Sequence, residues 1–396
     1  MQTNWLALWW GAFQNEWVKF RRRRRVALGL IGLGILTVAA TAAMAVPQAA
    51  APAQTATALR QEVKYDEAGL ATSRGTAKLL TALDLRQAQY ALARQSGAQL
   101  PPVSALEQAA HRVMLAVHGR NLAWAHYAQA VSAWKEARYS QAHHLPIGAG
   151  PHPRSGWWLV SRVFSGPLVV LYALLALVLA ADVLGQEFQS GTWNRLWLDP
   201  PGRAAVLLAK GALVWAVAAG VLVGAALALY VAGTAAFGAG LLWAVPEVAY
   251  QSMVLHTFGG VAVAPESFAV IVSPSQVAVA SLPAFAVTAV LGSILPLAAI
   301  LSAAAALGWL VHQPAVVALL AAALVAIPNL ALVYSGQRWL TWLPSTYLQF
   351  GHWMHHSAGW VFGMPGSSPT LGLLVAVAWI VGAAVLVGWH TRRIEL

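Results

Sequence analysis

The chain has 396 residues, 59% of them apolar and only 9% charged. A soluble domain carries roughly a quarter charged residues, so this composition excludes a cytosolic globule and with it an ordinary soluble enzyme. The 24 Lys+Arg against 13 Asp+Glu leave a net charge of +11, but the basic residues abut long apolar runs instead of forming one patch, which speaks for membrane topology and against nucleic acid. No cysteine is present, which excludes disulfides and thiolate chemistry.

Residues 1–25 open the chain with Leu6, Trp10, Phe13, Trp17 and Phe20 at steps of four and three, one apolar stripe of a helix. This segment is expected to lie in the cytoplasmic interface, with Trp10 and Trp17 at headgroup level and Arg21, Arg22, Arg23, Arg24 and Arg25 held at anionic lipid. Residues 26–46 are long enough for a first span, since crossing takes about 20 apolar residues. A signal peptide is the competing reading, with Ala43-Met44-Ala45 as its cleavage site. The run is too long for it, and twenty residues precede its arginines.

Residues 47–163 form the one sizeable polar region, expected outside the cytoplasm as an antiparallel helical hairpin. Its first arm, about 57–95, is rich in Ala, Leu and Gln. The second starts at a capping box of Ser104 and Glu107 and continues with a seam of Leu106, Val113, Val117, Trp124, Val131 and Trp134. His111, His118 and His126 stand two turns apart and read as solvated helix residues.

Further spans are expected at 164–181, 206–236, 287–311, 315–334 and 370–390, the fourth entered through an interfacial turn because Pro283 and Pro296 interrupt its run. The six spans return the C-terminus, 391–396 with Arg392 and Arg393, to the side of the N-terminus, which the positive-inside rule makes cytoplasmic. The fold class is thus an all-α polytopic protein of a cell membrane, of the bacterial plasma-membrane kind. Two outer connections remain: an extracytoplasmic or interfacial loop over 237–286, and an aromatic, interfacial or re-entrant loop over 335–369. The second holds His352, His355 and His356, a spacing that can bind zinc or copper on a helix. No carboxylate lies near it in sequence, so no metal is assigned.

Residues 182–205 carry charge that cannot stay in hydrocarbon, so the chain emerges there on the cytoplasmic side. Gly191 permits a break and Thr192 can cap a short helix that puts Trp193, Leu196 and Trp197 on one face. Pro200-Pro201-Gly202 are expected to stop it. The pattern Glu187, Gly191-Thr192, Leu196, Pro200, Arg203 and Lys210 resembles the E-x-x-x-G-T-x-x-x-L-x-x-x-P-x-x-R signature of the ABC type 2 permeases, the membrane subunits of ATP-binding-cassette exporters. Trp197 and Asp199 depart from it, standing where a smaller or more apolar residue is usual.

The resemblance implies that Glu187, Gly191, Thr192, Arg195, Leu196, Trp197, Pro200 and Arg203 couple the chain to a separate ATPase subunit, the nucleotide-binding domain. The sequence has no Gly-x-x-x-x-Gly-Lys-Ser/Thr loop, so the chain is expected to be no enzyme and to hold no cofactor, with ATP and Mg bound by that partner. A second permease copy or a paralogue would complete the pathway as a homo- or heterodimer embedded in membrane lipid. Spans almost free of ionisable residues suit export of an amphipathic cargo such as a peptide, drug or lipid-like molecule. Two other readings stay open: a membrane metalloenzyme using the histidine cluster, and a non-transporting sensor or scaffold working through 47–163.

Overall fold

In hydrocarbon every backbone N–H and C=O must be bonded within its own segment, and the long apolar runs are accordingly helices. The structure, a computed structural model, describes residues 5–22, 24–45, 56–74, 78, 81–82, 85–86, 88–89, 92, 154–190, 200–238, 246–251, 254–256, 269–271, 277–311, 314–335, 338–354 and 369–394. Among these, α1 (Trp5–Arg21) and α2 (Arg24–Ala45) are followed by α3 (Ala56–Thr72) in the polar region. The expected second hairpin arm, with its seam and its histidines at 111, 118 and 126, lies outside the described residues. The helical body comprises α4 (Gly156–Ser165), α5 (Leu168–Ser190), α6 (Pro200–Phe237), α7 (Leu282–Val311), α8 (Pro314–Ser335) and α10 (Pro369–Ile394), with a short helix α9 (Phe350–Met354) ahead of the last.

Four described helices are long and apolar enough to cross a membrane: Val26–Ala45, Leu208–Phe237, Leu282–Gly308 and Pro369–Trp389. The second expected span is a bent pair instead of one rod. α4 and α5 meet at 77°, because Gly166 ends α4 with its N–H on the Val163 carbonyl and Pro167, lacking an N–H, starts the next helix. The fifth expected span is α8, a 22-residue helix with Pro328 inside it. The fourth starts earlier than 287: α7 is one helix from Leu282, and Pro296 lies inside it.

The all-α expectation fails over 237–286. Strands β1 (Pro246–Gln251) and β4 (Val277–Ser281) pair antiparallel, with Pro246 opposite Ser281 and a bulge between Val248 and Tyr250. Within that ribbon β2 (Val254–His256) pairs β3 (Ala269–Ile271). Prolines at 246, 265 and 274 interrupt any helix there, and the apolar runs between them find their backbone partners across the ribbons instead.

α7 is the most enclosed candidate span, whereas α2 and the final helix α10 keep most of their surface outside the protein. The core joins Leu159, Phe164 and Tyr172 to Leu213, Leu222 and Leu229 of α6 and to Phe285, Leu297 and Leu301 of α7. α4 crosses α6 with backbones touching: a Cβ on Gly233 would stand 2.9 Å from the Gly156 Cα. At that same end Arg154 donates to the Ala45 carbonyl that closes α2 and lies over the rings of Trp158 and Phe237. The C-terminal ends of α2 and α6 and the start of α4 are thereby tied into one rim.

Candidate coupling site

The opposite rim holds the charges. α5 stays helical beyond its apolar part, which ends at Ala180, to Ser190, so that Glu187 stands in its last turn. α6 opens at Pro200, ahead of an apolar run that begins at Ala204 and that only Lys210 interrupts. Its 38 residues span about 57 Å, nearly twice the hydrocarbon thickness. Two helical stalks thus extend past the apolar windows and converge on the connection 191–199. Pro200 and Pro201 start a helix: proline fits a first turn, where the N–H has no helical partner anyway. Arg203 falls in that same first turn. Gly191, Thr192, Arg195, Leu196 and Trp197 lie outside the described residues, as does the short helix expected there.

α1 packs against α6 through an ion pair for which the sequence shows no local sign. The Lys210 Nζ lies 2.9 Å from the Glu16 Oε2, and the Lys19 Nζ 2.8 Å from the Glu16 Oε1. Glu16 and Lys210 are the buried charges among the described residues. Burial alone would push the Glu16 carboxyl up, but the Lys19 hydrogen bond and the Lys210 charge outweigh it and hold the group below its ordinary value. A partnered charge of this kind is costly to break, because either member alone would be left uncompensated in a dry place.

The pairing also fixes which face of α1 is inward. Glu16 and Phe20 are buried and Phe13 packs on the core, while Leu6, Trp10 and Trp17 of the expected stripe are exposed beside Trp5, Leu8 and Val18. The expected stripe therefore divides residue by residue: Phe13 and Phe20 turn inward, while Leu6, Trp10 and Trp17 stay outside the protein. Arg21 and Arg22 are exposed just beyond it; the structure describes no side chain for Arg24 and Arg25, and Arg23 lies outside the described residues.

Around the histidine cluster, no three His, Cys, Asp or Glu side chains converge among the described residues. His352 lies in α9; His355 and His356 lie outside the described residues.

The bent pair, both stalks and the α6 base to which Glu16 is tied all fall within residues 147–294, which match the family model described as ABC-2 family transporter protein. Over that segment the chain is similar to the ABC-2 transporter membrane proteins. Comparison with curated proteins found no match, and comparison with solved structures found none either. The match supports a membrane component of an ABC transporter. Helix α1, the residues His352, His355 and His356, and the last candidate span lie outside the matched segment.

Proposed function

We propose that the permease exports an amphipathic cargo, driven by a separate ATPase subunit that grips the connection between the stalks of α5 and α6. The observation that carries this reading is the rim itself: two helices prolonged beyond their apolar windows, with α1 locked onto one of them by the buried Glu16–Lys210 pair. A load applied to 187–203 is passed into α6 along a continuous helix, and the ion pair keeps α1 moving with it. The partner binds ATP and Mg, and its two nucleotide states supply the differential binding that a conformational shift requires.

The basic residues Arg21 to Arg25, Arg195 and Arg203 all belong to this rim in sequence, which makes it the cytoplasmic one and the Arg154 rim the outer one. Burial of no charge other than Glu16 and Lys210 among the described residues supports an amphipathic cargo over an ionic one. The exposed flanks of α2 and α10 suit a second permease copy or a paralogue.

The test is co-purification from membranes. The full chain should bring down a P-loop ATPase, and deletion of 187–198 should release it while the permease stays in the membrane. ATPase activity intrinsic to this chain, or association that survives the deletion, contradicts the proposal.

A further inference from the structure

The segment between α8 and α10 folds back into the helical body, and two spans hold it there by the same device. Its short 3-10 turns, Arg338–Trp342 and Pro344–Leu348, precede α9, and Ser345, Tyr347, Leu348 and Phe350 are all buried. Ser293 lies eleven residues into α7, about 17 Å along the helix. Its hydroxyl donates to the Leu348 carbonyl at 2.8 Å as well as to the Ala289 carbonyl of its own helix. From α8, the Asn329 Nδ2 donates to the Ser345 carbonyl at 3.1 Å and to its own Val325 carbonyl, and the Gln349 Nε2 returns a bond to the Asn329 Oδ1.

Both side chains stand beside a proline within their helix, Ser293 three residues before Pro296 and Asn329 directly after Pro328. Prolines open the helical ladder and let a span bend. Carbonyls of a short 3-10 turn have few partners of their own, so Ser345 and Leu348 depend on donors from outside the turn. The donors come from two spans at the points where those spans are able to bend.

The geometry points to Ser293 and Asn329 as positioning residues, a two-sided polar clamp that keeps segment 338–354 seated and releases it when α7 and α8 bend during transport. This deepens the permease reading above and rests on it for the transport step alone. With the clamp closed, Phe350 fills the space left by Gly292 and Tyr347 that left by Gly372, where an added Cβ would collide with the ring atoms. Bending either span withdraws a donor, and the seat loosens.

The chain contains no cysteine, so Ser345→Cys, a near-isosteric change at a buried position, provides a single reporter. The full-length protein in lipid nanodiscs is treated with a water-soluble maleimide, whose rate follows the population of the open seat. The parent should label slowly, and adding Ser293→Ala and Asn329→Ala should raise the rate roughly tenfold, the loss of two to three hydrogen bonds. Ser293→Ala alone, which leaves its helix intact, should raise it by a smaller factor and keeps the test open if the double variant fails to fold. Labelling at the parent rate in both variants overturns the clamp. In permeabilised membrane vesicles holding the ATPase partner, ATP with vanadate should speed labelling of the parent. A clamp effect without any response to trapping would overturn the permease coupling while leaving the clamp in place.

Discussion

Glu16 and Lys210 are 194 residues apart in sequence and 2.9 Å apart in space. Glu16→Gln should destabilise the protein by about 3 kcal/mol, since it strands a buried ammonium, whereas Lys19→Ala should cost under about 1 kcal/mol because that side chain is half in solvent. Glu16→Gln with Lys210→Met should recover most of the loss. Thermal unfolding of the four proteins in one detergent checks the order. The pH dependence follows from the lowered carboxyl: a depressed folded-state pKa stabilises above the ordinary carboxylate value of 4.5 and loses that contribution as pH falls through the folded value. Between neutral pH and acid, the parent should therefore lose stability that Glu16→Gln does not. Lys210 was legible as part of a motif, and Glu16 as the one acid of its helix, but periodicity carries no information about a partner on another helix.

At the scale of elements, the helical character of the long apolar runs was legible because hydrocarbon leaves such a run no alternative to helix. Gly166-Pro167 marks the 77° bend, and the single span expected over 164–181 passed over it, because an apolar run can continue through a bend. The ribbon was hidden by composition: its runs are apolar like the spans, and only the spacing of its prolines separates the two. Residues 335–369 read as an aromatic loop, interfacial or re-entrant, and the seating of 338–354 was not legible in it, because the fit of Phe350 against Gly292 depends on residues brought together only by folding. Gly292→Ala tests that fit. The added methyl would overlap the Phe350 ring and should cost about 1–3 kcal/mol, with Phe350→Leu in the same chain restoring part of it. Unfolding of the two single variants and the double variant measures the coupling.

For the whole molecule, the two rims are opposite: Arg154 ties the ends of α2 and α6 to the start of α4, and Glu16 ties α1 to the base of α6. Single cysteines at Trp5 and at Arg154 should therefore label from opposite sides of a sealed vesicle, Trp5→Cys from the cytoplasmic side, and labelling of both from one side would contradict the orientation. The motor connection decides the rest. With Thr192→Cys carrying a photoreactive maleimide crosslinker in native membranes, illumination should yield one principal adduct, whose second polypeptide contains a P-loop by mass spectrometry. An adduct confined to this chain, or to a protein without that loop, would contradict the claim that a separate ATPase drives the permease through this turn.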